Sequence, residues 1–155
     1  IKHILKIKYN SNGALRNTFF CYLISKKPIN FQDNEIITAQ PCSSFLNKKN
    51  DHHIFPKKLL EDKGYKNSEI NRLGNICMLT AGENIPIGGR NPPWSYLKSL
   101  KGNKRKKLSS HAIPHHKCIL KPGDVKKKYK EFFNERAKLV KKDLARLIGK
   151  EHIED

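Results

Sequence analysis

Leu15, Phe19 and Leu23 recur at every fourth position in SNGALRNTFFCYLIS, residues 11–25, behind Ser11 or Asn12 as a candidate cap. That spacing predicts a buried helix. The following PINFQDNEIIT (28–38) is turn-rich with a short β-favouring end, and 41–50 reads as a loop. After HHIFP, the segment KKLLEDKG predicts a short helix stopped at Gly64. NSEINRLG (67–74) repeats that logic, with Asn67 or Ser68 as cap and Gly74 as the end. NICMLT (75–80) predicts a compact apolar strand; AGEN then opens a short helix, GGRNPP (88–93) breaks it, and WSYLKSL resumes helically. KGNKRKK (101–107) reads as an exposed basic loop. Across 124–151, Val125, Tyr129, Phe132 or Phe133, Arg136, Leu139 or Val140, Leu144 and Leu147 recur at helical spacing with lysines between them. That is the pattern of one long amphipathic helix. No internal repeat is visible.

Length and charge narrow the reading. With 155 residues the chain suits one domain. Charged residues reach 30% and hydrophobic ones only 37%, yet the apolar positions are clustered, which argues for a folded, very polar domain. The net charge is +18, divided as +6 over 1–50, +2 over 51–100 and +10 over 101–155. An excess of that size favours a polyanion, with DNA or RNA the commonest. Lysine greatly outnumbers arginine, which fits phosphate contact more than base reading. No apolar run approaches a bilayer span and no signal peptide opens the chain, so no membrane partner and a cytoplasmic, reducing location are expected. The cysteines Cys21, Cys42, Cys77 and Cys118 lie too far apart for a zinc ribbon, and Cys21 and Cys77 read as small hydrophobes. The start at Ile1 reads as a piece of a longer protein.

The candidate chemistry lies in NDHHIFPKKLL (50–60). Histidine serves as a general base near neutral pH and, when neutral, as a metal ligand. On a strand, His52 and His53 would point to opposite faces; a turn at Pro56 would relax that rule and let both approach one substrate. Lys57, Lys58 and the amide-rich NICMLTAGEN would suit a phosphate-binding cleft. Two adjacent histidines alone more often serve a structural or surface role than catalysis.

Their wider context points further. DHHIFP is followed by GN, with Asn75 22 residues after His53, and by EN, with Asn84 nine residues later. This order resembles the HNH endonuclease site, and HHIFPKKLLEDKGYKNSEINRLGNICMLTAGENIPIGGRNPPWSYL (52–97) is similar to the C-terminal nuclease domains of GmrSD-like restriction and anti-phage defence proteins. SSHAIP (109–114) and YKEFFNERAKLVKKDL (129–144) resemble the closing segment of the same domains. The resemblance implies an α+β fold: a ββα-metal core (50–97) within a mostly helical domain over 1–155, supported by the helix at 11–25 and closed by 124–151. By position it implies His53 as the catalytic base, Asn75 as the residue that braces it, and His52 and Asn84 as ligands of one divalent cation. An acidic residue often fills the first ligand position in the family. Mg²⁺, which favours oxygen ligands, is expected first, and an imidazole at His52 leaves Mn²⁺, Ni²⁺ or Zn²⁺, which accept it more readily, open.

Further implications are a DNA substrate, a prokaryotic defence role and an upstream NTP-hydrolysing sensing domain, in the same protein or on a partner subunit. Two other readings fit the same residues: a nucleic-acid-binding module with a vestigial site, and an RNA-cleaving nuclease. Asp51 precedes both aligned histidines and receives no catalytic role. Arg90 is a candidate phosphate contact, with a solvated side chain equally compatible. HAIPHHKC (111–118) fits no zinc spacing, so His111 is expected to pack and His115 and His116 to be exposed.

Overall fold

The computed structural model describes residues 1–9, 13–37, 51–79, 89–147 and 149. In chain order its elements are α1 (Lys2–Lys6), α2 (Ala14–Ser25), β1 (Asp51–His53), α3 (Lys57–Asp62), α4 (Asn67–Ile70), β2 (Ile76–Met78), α5 (Pro93–Tyr96), α6 (Lys104–Ser110), α7 (Lys117–Leu120) and α8 (Val125–Leu147). The class is α+β, with a two-stranded sheet among helices and a long helix near the C-terminus.

β1 and β2 run antiparallel with Asp51 opposite Met78, His52 opposite Cys77 and His53 opposite Ile76. Partners facing across such a pair share one side of the sheet. Cys77 belongs to a core cluster with Ile54, Phe55, Tyr96, Leu108 and Phe132, whereas Ile76 and Met78 belong to another with Leu5, Phe19, Leu23 and Val140. The strand pair therefore divides two hydrophobic clusters. Residues 75–79 of the short apolar run are buried on both faces, which explains its lack of polar alternation.

α8 fastens both clusters together. Its Arg136, fully buried, donates to the carbonyls of Gly74 (2.9 Å), Ile76 (2.9 Å), His111 (3.1 Å) and Ala112 (3.0 Å). The guanidinium also lies over Phe19 and Phe132. Burial lowers its pKa to about 10, so it remains charged at neutral pH. Hydrogen bonds to four carbonyls offset the cost of burying that charge.

Several expectations are corrected. Helix α2 begins at Ala14 with Gly13 as its N-cap residue, Leu15 is 48% exposed, and Phe20 and Tyr22 are buried instead. The expected caps Ser11 and Asn12 lie outside the described residues. Cys21 is exposed, because the buried stripe of α2 runs through Phe19, Phe20 and Leu23. Asn67 is the first residue of α4, not its cap; the Lys66 N–H is held by the Glu69 carboxylate, and the helix ends at Ile70, short of Gly74. KGNKRKK is not all loop: the Asn103 side chain accepts from the Lys106 N–H at 3.0 Å and starts α6. Within it Lys107 is buried, its ammonium donating to the Phe31 carbonyl. As expected, α3 stops before Gly64, whose φ is +79°. Among the described residues no helix is long and apolar enough to cross a membrane.

Candidate active site around His53

The turn after β1 is fixed by side chains from distant parts of the chain. Asn75, fully buried, accepts from the Phe55 N–H at 2.9 Å and donates to the carbonyls of Phe55 and Ile70, each at 3.0 Å. Its own carbonyl accepts from the Ile54 N–H at 2.8 Å. From the opposite side, the Tyr96 hydroxyl donates to the Ile54 carbonyl at 2.7 Å. Ile54 and Phe55 thus have their polar backbone satisfied without a third strand, and the chain turns immediately after His53.

His53 is half-buried beside that turn. Its Nε2 lies 2.8 Å from the Asn71 Oδ1, and Asn71 in turn donates through Nδ2 to the Asn67 Oδ1 at 2.6 Å. The Tyr9 ring stands edge-on to the imidazole, 5.8 Å between centroids. Tyr9 is delivered by the N-terminal segment, whose Lys8 bridges to Arg72 and whose Tyr9 N–H donates to the Asn71 carbonyl at 2.8 Å. Burial pushes the His53 pKa below its ordinary 6.5, and the nearby Lys57 ammonium adds to that. The Asn71 hydrogen bond and Glu61 act in the other direction and do not outweigh burial. At neutral pH the ring is therefore uncharged, the form able to take a proton.

His52 is placed elsewhere. It is 3% exposed, its ring edge-on to Tyr96 at 5.8 Å, on the Cys77 side of the strands. The extended strand continues through His53 before the turn begins, so the period-two alternation holds for both histidines. The expectation that they approach one substrate together is not met by the described chain. Among the described residues no group of three His, Cys, Asp or Glu side chains could hold a metal ion. Asn84, the other expected ligand, and the AGEN segment lie outside the described residues. His52 thus lies on the opposite side of the strand pair from His53, and its liganding role rests on the resemblance.

Of the expected phosphate contacts, Lys57 and Lys58 are exposed on the first turn of α3, and Lys57 lies within electrostatic reach of His53. Lys57 also sits 3.8 Å from Glu61. Arg90 is exposed but paired with Asp62 at 2.6 Å, which ties the segment before α5 to α3. In HAIPHHKC, His111 is buried and His115 exposed, as expected. His116 is half-buried and caps α7, accepting from the Cys118 N–H at 3.2 Å.

Asn71 was not foreseen. Its spacing from Asn67 was visible, since residues four apart share a helix face, but nothing in the pattern aimed that pair at His53. No family model, curated protein or solved structure gives a significant match to the chain.

Proposed function

We propose that the protein is an HNH-type endonuclease that hydrolyses DNA phosphodiester bonds with His53 as general base. The observation that carries this reading is a half-buried histidine, uncharged at neutral pH, whose following turn is clamped by Asn75. The resemblance assigns Asn75 to bracing the imidazole; its side chain bonds Phe55 and Ile70, while the ring itself is bonded by Asn71. In the reaction His53 removes a proton from a water molecule, the water oxygen bonds to phosphorus, and the bond to the leaving oxygen breaks. The imidazolium then releases its proton to solvent, and the departing oxygen takes up a proton from solvent to leave as a hydroxyl. Asn75 keeps the backbone after His53 from shifting, while Lys57 and Lys58 offer positive charge to the phosphate. A ββα-metal core with Asn84 on its helix, a divalent cation, an upstream NTP-hydrolysing domain and a role in prokaryotic defence enter through the resemblance alone. The cation is accordingly a variable of the experiment.

The test is nicking and linearisation of supercoiled plasmid, with Mg²⁺, Mn²⁺, Ni²⁺, Zn²⁺ or chelator, for the wild type and His53→Ala. Loss of cleavage in the variant with retained DNA binding is expected. Cleavage that survives His53→Ala would remove His53 from the chemistry. RNA of the same sequence, run in parallel, decides between the two nucleic acids.

A second reading has an observation of its own. The burial of His52 away from His53 favours a nucleic-acid-binding module whose nuclease site is vestigial. Salt-sensitive binding without cleavage under every metal condition is its expected signature.

A further inference from the structure

Asn71 is held on every side. Its backbone N–H donates to the Asn67 carbonyl at 3.1 Å, and its own carbonyl accepts from the Tyr9 N–H at 2.8 Å. Its side-chain Nδ2 donates to the Asn67 Oδ1 at 2.6 Å, which turns the Asn71 Oδ1 toward the His53 Nε2 at 2.8 Å. A carbonyl oxygen can only accept, so the hydrogen between Asn71 and His53 belongs to the imidazole. A neutral imidazole carries one such hydrogen, and the lone pair is then on Nδ1. The edge-on Tyr9 ring, itself placed by the hydrogen bond to the Asn71 carbonyl, limits rotation of the imidazole out of this contact.

We propose that Asn71, buttressed by Asn67, is a positioning residue that holds His53 as its Nε2–H tautomer and so makes Nδ1 the atom that accepts the proton, an inference that rests on His53 being the base of the proposed nuclease. The orienting group is an amide, which fixes the tautomer without adding negative charge beside an incoming phosphate. A carboxylate at the same place would hold the tautomer equally well, but would stabilise the imidazolium and repel the substrate.

The test uses the full ¹⁵N-labelled chain and long-range ¹H–¹⁵N correlation of the imidazoles at pH 8. His53 is identified by the signal lost in His53→Gln. The wild type should show the Nε2–H pattern. Asn71→Ala should give a mixture of tautomers, and Asn67→Ala a smaller shift in the same direction. In cleavage, Asn71→Ala should lower kcat roughly 10²-fold with KM little changed. Asn71→Asp keeps the acceptor, serves if the alanine variant fails to fold, and should move the acid limb of the pH–rate profile upward. An Nδ1–H pattern in the wild type, or an unchanged tautomer in Asn71→Ala, would overturn the proposal. Should the wild type cut no nucleic acid while its Nε2–H pattern is lost in Asn71→Ala, the positioning role stands and the nuclease reading fails.

Discussion

Asn75 commits both ends of one amide to a single turn, and that makes its replacements informative. Asn75→Ala removes three buried hydrogen bonds and leaves the Phe55 N–H and the carbonyls of Phe55 and Ile70 without their partner. At about 1 kcal/mol or more for each, a loss of roughly 3 kcal/mol is expected in urea denaturation. Asn75→Asp keeps the acceptor but turns a carboxylate oxygen against two carbonyls, so it should destabilise at least as much despite its similar shape. A different residue sets the acid limit. His111 is buried, donates from Nε2 to the Ile29 carbonyl at 2.8 Å, and has its pKa lowered to about 4, first by burial and then by Arg136, His52 and Lys107. Between the ordinary 6.5 and about 4 the unfolded chain binds a proton that the folded chain refuses. Stability is therefore complete above pH 6.5 and falls as the pH drops through that window, by about 2 kcal/mol at pH 5. His53 contributes in the same direction. Denaturation at pH 7.5 and pH 5 should show this fall in the wild type and a smaller one in His111→Gln.

Element by element, the patterns with period 3.6 carried most of what was legible. The long C-terminal helix, the helix before Gly64 and the strand at 76–78 were all visible in the sequence, because each repeats a buried stripe or an unbroken apolar run. What failed was local. KGNKRKK reads as loop because every residue is polar or glycine, yet one Asn103 cap and a lysine buried under Phe31 suffice to make its second half helical. Leu15 obeyed the spacing but sits on the outer side of α2, where the stripe shifts to Phe20 and Tyr22. The opposed faces of His52 and His53 follow from strand alternation, and the turn that was expected to relax it comes one residue too late. Gly74 illustrates a constraint legible only in three dimensions. A Cβ there would lie 2.4 Å from Phe133 Cε1 and 3.0 Å from the Leu5 carbonyl, where α1 and α8 close on the turn before β2. Phe133 has little room to retreat, with Tyr129, Phe132 and the Arg72 guanidinium around its ring. Gly74→Ala should therefore cost about 1–3 kcal/mol in chemical denaturation. Adding Phe133→Leu should return part of that loss, and strict additivity of the two changes would refute the steric explanation.

For the molecule as a whole, the charge of +18 favours a polyanion as partner but does not say where it would lie. The segment containing His53 carries only +2 of that charge, and the last third carries +10, so affinity and chemistry need not share a surface. Salt dependence separates them, because each lysine that touches a phosphate adds about 0.9 to the slope of log K against log salt. If the backbone passes over His53, replacing both Lys57 and Lys58 with glutamine should reduce the magnitude of that slope by about 2. Arg90→Gln should change it far less, since that guanidinium is held by Asp62 at 2.6 Å. Because Lys57 helps to lower the His53 pKa, binding is best measured at pH 8, where the ring is neutral with or without it. An unchanged slope in the double variant would move the phosphate track away from α3 and toward the exposed lysines of α8, among them Lys126, Lys130, Lys138 and Lys142. The proposed base would then act on a strand that the rest of the protein holds in place.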